Sequence, residues 1–157
     1  MRVYIAAPYA AREQVRGYAT ELTRVGFTTS STWLDETHEI NAGTLGAATE
    51  LTDAQVSEHA TTDLLDVQRS DVLVLFTAPS VGLAPEQNTS GGRHVETGYA
   101  LALGKPIVVV GEPENVFHRI GSKRVTVVPD WHEAVIELSA RLVELTASRD
   151  ITSAAVS

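Results

Sequence analysis

The chain has 157 residues, 43% of them apolar, which is enough for one domain with a real core and short of two comfortable ones. Twelve basic against twenty acidic residues give a formal charge of -8, and no run of lysine or arginine is dense enough to track a nucleic-acid backbone, which argues against a polymeric DNA or RNA partner. There is no cysteine and the five histidines lack metal-ligand spacing, so the chemistry is expected to rest on carboxylates, hydroxyls and backbone groups, with no metal and no cofactor.

The chain opens on a strand-like run, Arg2-Val-Tyr-Ile-Ala-Ala, with neither a charged leader nor a long apolar segment, so no membrane partner is expected and the default location is cytoplasmic. Strands are predicted at Val3–Ala6, Phe27–Ser30, Asp71–Phe76, Pro106–Val110 and Val125–Val128. Helices are predicted at Ala10–Val25, Ala47–Arg69, Arg93–Leu103 and Trp131–Ala147, the last with Ala134, Leu138, Leu142 and Leu145 at helical spacing. Such alternation implies a doubly wound parallel α/β sheet, and Val-Leu-Val-Leu-Phe and Ile-Val-Val-Val read as central strands covered on both faces. Residues 1–147 form the expected single domain and 148–157 a frayed tail. Ligands of such sheets bind beyond the carboxyl ends of the strands, which gathers Tyr4 to Ala11, Thr77 to Glu96 and Gly111 to His118 around one cleft. Two loops, Asp35 to Gly46 and Ala78 to Gly92, are long enough to cover a substrate; for Val81 to Thr89 disorder is the equal alternative.

Glu96 follows a glycine-rich turn, Thr89-Ser-Gly-Gly-Arg-His-Val-Glu, at the start of a helix. The helix dipole there favours the carboxylate, leaving a nucleophile competent near neutral pH unless burial outweighs the dipole. The plainer reading is an ordinary acidic first-turn residue. Asp63 and Asp71 flank the approach to the third strand, eight positions apart. Asp71 falls at the strand entrance, opposite the cleft, and reads as a structural turn residue, while Asp63 lies a helix length away at the cleft end.

Three motifs in order, Val3-Tyr4-Ile-Ala-Ala-Pro, Asp63 with its spacing to Ser70-Asp71, and Ser90-x5-Glu96-x-Gly98-Tyr-Ala-x2-Leu-Gly-Lys-Pro, resemble the nucleoside 2-deoxyribosyltransferase superfamily. That superfamily includes the 2'-deoxynucleoside 5'-monophosphate N-hydrolases and the cytidylate N-glycosidases, and the resemblance runs from about Met1 to Trp131. It implies a flavodoxin-like five-stranded sheet of order 2-1-3-4-5 with helices on both faces, cleavage of a base–sugar bond, and a homodimer or higher homo-oligomer. Carried onto this chain, Glu96 attacks the anomeric carbon, Asp63 assists proton transfer to the departing base or orients the nucleophile, and Tyr4 holds Glu96 through its phenol. An oxocarbenium-like transition state suits such a set, since an adjacent carboxylate stabilises it and can trap it covalently. The alternatives are a solvated helix residue for Asp63 and core packing for Tyr4.

In the monophosphate hydrolases a serine six positions before the glutamate contacts the 5'-phosphate, and this chain has Ser90 there. Ser90, Gly91, Gly92 and Arg93 together offer N–H groups, a helix N-terminus and a guanidinium to an anion, which favours a nucleotide over a free 5'-hydroxyl. Arg93 as a surface cation and Ser90 as a helix cap are the alternatives. The hydrolases carry Gly-Ser after the first strand, where this chain has Ala7-Pro8-Tyr9-Ala10-Ala11-Arg12, so Arg12 is the candidate replacement for that hydroxyl. Asn115 and His118 fall where a neighbouring subunit contributes in family dimers, against loop capping and surface roles. Trp33 either stacks on the base or packs at a strand end, and His38, Asn41 and His59 are further polar candidates. The leading expectation is cleavage or exchange of the N-glycosidic bond of a 2'-deoxynucleoside or its 5'-monophosphate. An NAD-type glycohydrolase and a non-catalytic nucleotide-binding sensor are the competing functions.

Overall fold

The computed structural model describes residues 1–36, 51–84, 91–120 and 124–154. Five strands, β1 (Arg2–Ala6), β2 (Thr28–Thr29), β3 (Val72–Phe76), β4 (Ile107–Val110) and β5 (Val125–Val128), form an all-parallel sheet of order β2-β1-β3-β4-β5. Every residue of β3 and β4 is buried, as their unbroken apolar runs demand of central strands covered twice. Four helices cover the sheet: α1 (Arg12–Arg24), α2 (Asp53–Arg69), α3 (Gly92–Ala102) and α4 (Trp131–Ala154). This is the doubly wound α/β architecture expected of the sequence.

The register decides which side chains meet which helices. Tyr4 pairs with Leu73, and Phe76 lies three residues farther along β3, so Tyr4 and Phe76 project from opposite faces. On the Phe76 face, Tyr18 of α1 stacks on Phe76 with centroids 5.2 Å apart and on Trp131 of α4 at 4.7 Å. On the Tyr4 face, α2 and α3 pack against each other and over β1. Asp71 lies at the amino edge of the sheet, where its carboxylate accepts from the Arg2 N–H at 2.6 Å.

Of the boundaries that differ from the sequence expectation, those of β2 and α2 have a local reason. β2 ends before Ser30 because side chains take over from the ladder: Ser31 Oγ accepts from Ile5 N–H at 2.6 Å, and Trp33 Nε1 donates to the Ile5 carbonyl at 2.8 Å. The short helical turn Thr32–Asp35 follows directly. α2 begins at Asp53 rather than Ala47 because Thr52 is extended and forms a capping box with Gln55, each side chain satisfying the other's backbone N–H. The backbone of α4 continues to Ala154, past the predicted end at Ala147. Where β4 exits, Gly111 has φ +93°, and a Cβ there would meet Ser80 Cβ and Thr77 Oγ1 at 2.5 Å, so only glycine fits between the two strand exits.

Candidate functional site

Tyr4 enters the layer between α2 and α3, where its side chain is fully buried. The packed-aromatic and site readings of this residue therefore converge, because that layer also holds Asp63 and Glu96. The Tyr4 hydroxyl and Glu96 interact directly enough to perturb one another, although no protein partner of the hydroxyl meets ordinary hydrogen-bond geometry. Such contacts often tighten only when substrate is bound. Burial, followed by the charges of Glu96 and Asp63, raises the Tyr4 phenol well above its ordinary value, so it stays a proton donor.

Glu96 lies one turn inside α3, and no acidic residue occupies the first turn. Here the condition set on the helix-terminus argument applies, because burial outweighs the dipole. The dipole effect fades within the first turn, and burial, seconded by the charge of Asp63, raises Glu96 from its ordinary 4.5 to about 8. The Tyr4 hydroxyl and Arg93 pull in the other direction, while Glu36 adds to the rise. Asp63 is raised to about 7 by burial first, then by Glu36 and Asp66, with His59 opposing. Asp63 ionises first, so its charge is felt when Glu96 titrates. One of its oxygens, Oδ1, is buried without a hydrogen-bond partner. The arrangement is thus two carboxyls that together retain a proton around neutral pH beneath a phenol.

Beyond the pair, Glu36 and Tyr9, which the sequence left unassigned, join the candidates His59 and Arg12. Glu36 Oε1 lies 2.7 Å from His59 Nδ1, and the Tyr9 hydroxyl donates to the Glu36 carbonyl at 3.3 Å. Arg12 donates to the Tyr9 hydroxyl at 2.8 Å and lies over its ring, with Glu13 on its other side at 3.1 Å. Asp66, one turn beyond Asp63, accepts from Thr32 N–H at 3.0 Å and Thr32 Oγ1 at 2.7 Å, which fixes the turn that carries Glu36. The spacing of His59 and Asp63, four apart on α2, was a usable signal for one helix face; for Glu36 the sequence held none.

Other predicted site residues lie elsewhere. Arg93 is not a surface cation: its side chain is 1% exposed, and Nη2 donates to both Glu114 oxygens at 3.1 and 2.9 Å. Trp33 is buried, its N–H is committed to Ile5 and its ring tilts against Tyr9 with centroids 6.3 Å apart. His118 is 1% exposed, its Nδ1 accepts from Glu114 N–H at 3.1 Å, and burial lowers its pKa. Asn115 caps the following turn by accepting from Phe117 N–H at 2.9 Å. The segment Gly111 to His118 is tied to α3 through Arg93 and His94. Gly91 and Gly92 open α3 and are exposed. Ser90, His38 and Asn41, with residues 37–46 of the first long loop and 85–90 of the second, lie outside the described residues. Among the described residues, no group of three or more metal-ligating side chains is placed to hold an ion, and no helix is long and apolar enough to cross a membrane.

Two solved structures share this architecture. The 2-deoxyribosyltransferase of Bacillus psychrosaccharolyticus is 18% identical, with 85% of this chain and 90% of that one covered at a TM-score of 0.57. The fold is that of the nucleoside 2-deoxyribosyltransferases. The CMP N-glycosidase BcmB of Clostridium botulinum is also 18% identical, with 89% of this chain and 99% of that one covered at a TM-score of 0.51. No family model and no curated protein sequence matches the chain.

Proposed function

We propose that the chain is a cytoplasmic enzyme that cleaves the N-glycosidic bond of a 2'-deoxynucleoside or its 5'-monophosphate, as an N-hydrolase or a deoxyribosyltransferase. The observation that carries this reading is the pair of carboxyls, Asp63 and Glu96, held with raised pKa values beside the Tyr4 phenol. The likeness in fold to two enzymes of that chemistry supports it.

In this reading the Glu96 carboxylate attacks the anomeric carbon as the bond to the base breaks, and its electron pair leaves with the base. Asp63 supplies the proton that neutralises the departing nitrogen, and the Tyr4 hydroxyl orients the attacking oxygen. Water or the N–H of a second base then attacks the anomeric carbon, its proton passes to the Asp63 carboxylate, and the bond to Glu96 breaks to return the free carboxylate. The productive state is singly protonated and is reached when the proton of Glu96, the more basic of the two in the empty cleft, passes to Asp63. A pair whose members titrate at about 7 and about 8 reaches that protonation count near neutral pH. At the 5' end, Arg12, Ser90 and the N–H groups of Gly91 and Gly92 are the phosphate contacts of the nucleotide reading.

A homodimer belongs to the same proposal. The outer face of α3 and the turn Val116–Arg119 frame an apolar groove of 630 Å³ lined by Leu101, Ala102, Phe117 and Ile120, with Phe117 61% exposed. Sedimentation of the purified chain, with Phe117→Glu beside it, reads the dimer directly.

The test incubates the protein with separate deoxynucleosides, deoxynucleoside monophosphates, ribonucleotides and NAD, with and without a second free base, and follows released or exchanged base by chromatography. Release of base from a deoxynucleoside or its monophosphate supports the proposal. Release of nicotinamide alone, or tight binding without turnover, contradicts it.

A further inference from the structure

The turn after β2 and helix α2 bring a second pair of ionisable groups against the first. Glu36 is anchored from three directions. Trp33 is fixed to Ile5 and Thr32 to Asp66 on the preceding turn, and the Glu36 carbonyl accepts from Tyr9. Its carboxylate lies 2.7 Å from Nδ1 of His59, half-buried, and His59 is one helical turn from Asp63 on the same face of α2. The groups facing Asp63 are therefore Glu36 from the turn, His59 and Asp66 from α2, Glu96 from α3 and Tyr4 from β1, with Arg93 of α3 acting on Glu96.

We propose that Glu36 and His59 are positioning residues that decide which of Asp63 and Glu96 holds the proton in the cleft. This rests on the glycosidase reading for its consequence but not for its test. The Glu36 carboxylate favours the proton on Asp63 and His59 opposes it, while Tyr4 and Arg93 favour the anion of Glu96, so the pair sets the balance between acid and nucleophile. Burial and charge act here as the directions of the two carboxyls indicate: Glu36 raises both and His59 lowers Asp63.

The experiment follows the carboxyl titrations of Asp63 and Glu96 by 13C NMR in the substrate-free protein, assigned through Asp63→Asn and Glu96→Gln. Glu36→Gln is expected to lower the Asp63 midpoint and His59→Gln to raise it, each by about one pH unit. If one variant does not fold, the sign in the other decides. Midpoints that stay in place, or that move the same way in both variants while only the Tm falls, overturn the proposal and leave the pair a structural clasp. Because the readout needs no turnover, an inactive substrate panel overturns the function and not this pair.

Discussion

Glu96→Gln should make the protein more stable, by an amount that depends on pH. The wild-type carboxyl ionises at about 8 in the fold against 4.5 in its ordinary state, because burial and the charge of Asp63 disfavour its anion. Between those values the unfolded chain has released the proton and the native chain still binds it. Native stability therefore falls as pH rises through that window and levels off above it. At about 1.4 kcal/mol per pH unit, the loss is under roughly 1 kcal/mol at pH 5 and approaches about 5 kcal/mol at pH 9. Glutamine keeps the shape and cannot ionise, so it escapes that loss. Urea unfolding of both proteins at pH 5 and pH 9 gives the difference directly, with the m-value checking that the unfolded states are comparable. The midpoint gap should be small at pH 5 and wide at pH 9. A gap of the same size at both values would refute the argument, because it would mean that Glu96 is not held protonated by the fold.

Asp63→Asn removes the negative neighbour, so Glu96 should titrate lower, while release of base falls by about 100- to 10,000-fold for want of the proton; a pH–rate profile reads both. Tyr4→Phe deletes a buried hydroxyl that lacks a partner of ordinary geometry, so stability should change by less than about 1 kcal/mol. In the same variant Glu96 should titrate higher and kcat should fall with KM little changed. Arg93→Met leaves Glu114 facing a buried apolar side chain and should destabilise the fold by about 3–5 kcal/mol, part of which Glu114→Gln in the same chain restores; denaturant midpoints of the single and double variants check it.

What the sequence revealed and what it hid divide along the range of the interaction. β3 and β4 were legible because covered central strands need no alternation, and Val-Leu-Val-Leu-Phe and Ile-Val-Val-Val show none. The fold class followed from their alternation with helical segments. The start of α2 was missed although its capping box is local, because the alanine-rich run ahead of Thr52 reads as helix by propensity. Glu96 and Asp63 were identified through motif resemblance, and strand register then explained why Tyr4 faces them. The charge state of Glu96 was left to a condition, burial against dipole, that the chain could not decide because burial is a tertiary quantity. Arg93 was read from the glycine-rich turn beside it, and its ion pair with Glu114, 21 positions away, was not legible. Glu36 had no signal at all, since only the clamping of Thr32 and Trp33 brings it to His59.

The central claim is that Glu96 forms a covalent glycosyl-enzyme. Mass spectrometry of the intact protein, quenched during turnover of a 2'-deoxy-2'-fluoro nucleoside or nucleotide, tests it most directly, because the fluorine destabilises the oxocarbenium-like transition states and slows release of the intermediate. The account predicts a mass increase equal to the fluorinated sugar, carried by the peptide containing Glu96 and absent from Glu96→Gln. Base release that persists undiminished in Glu96→Ala, or an adduct on another residue, would contradict it.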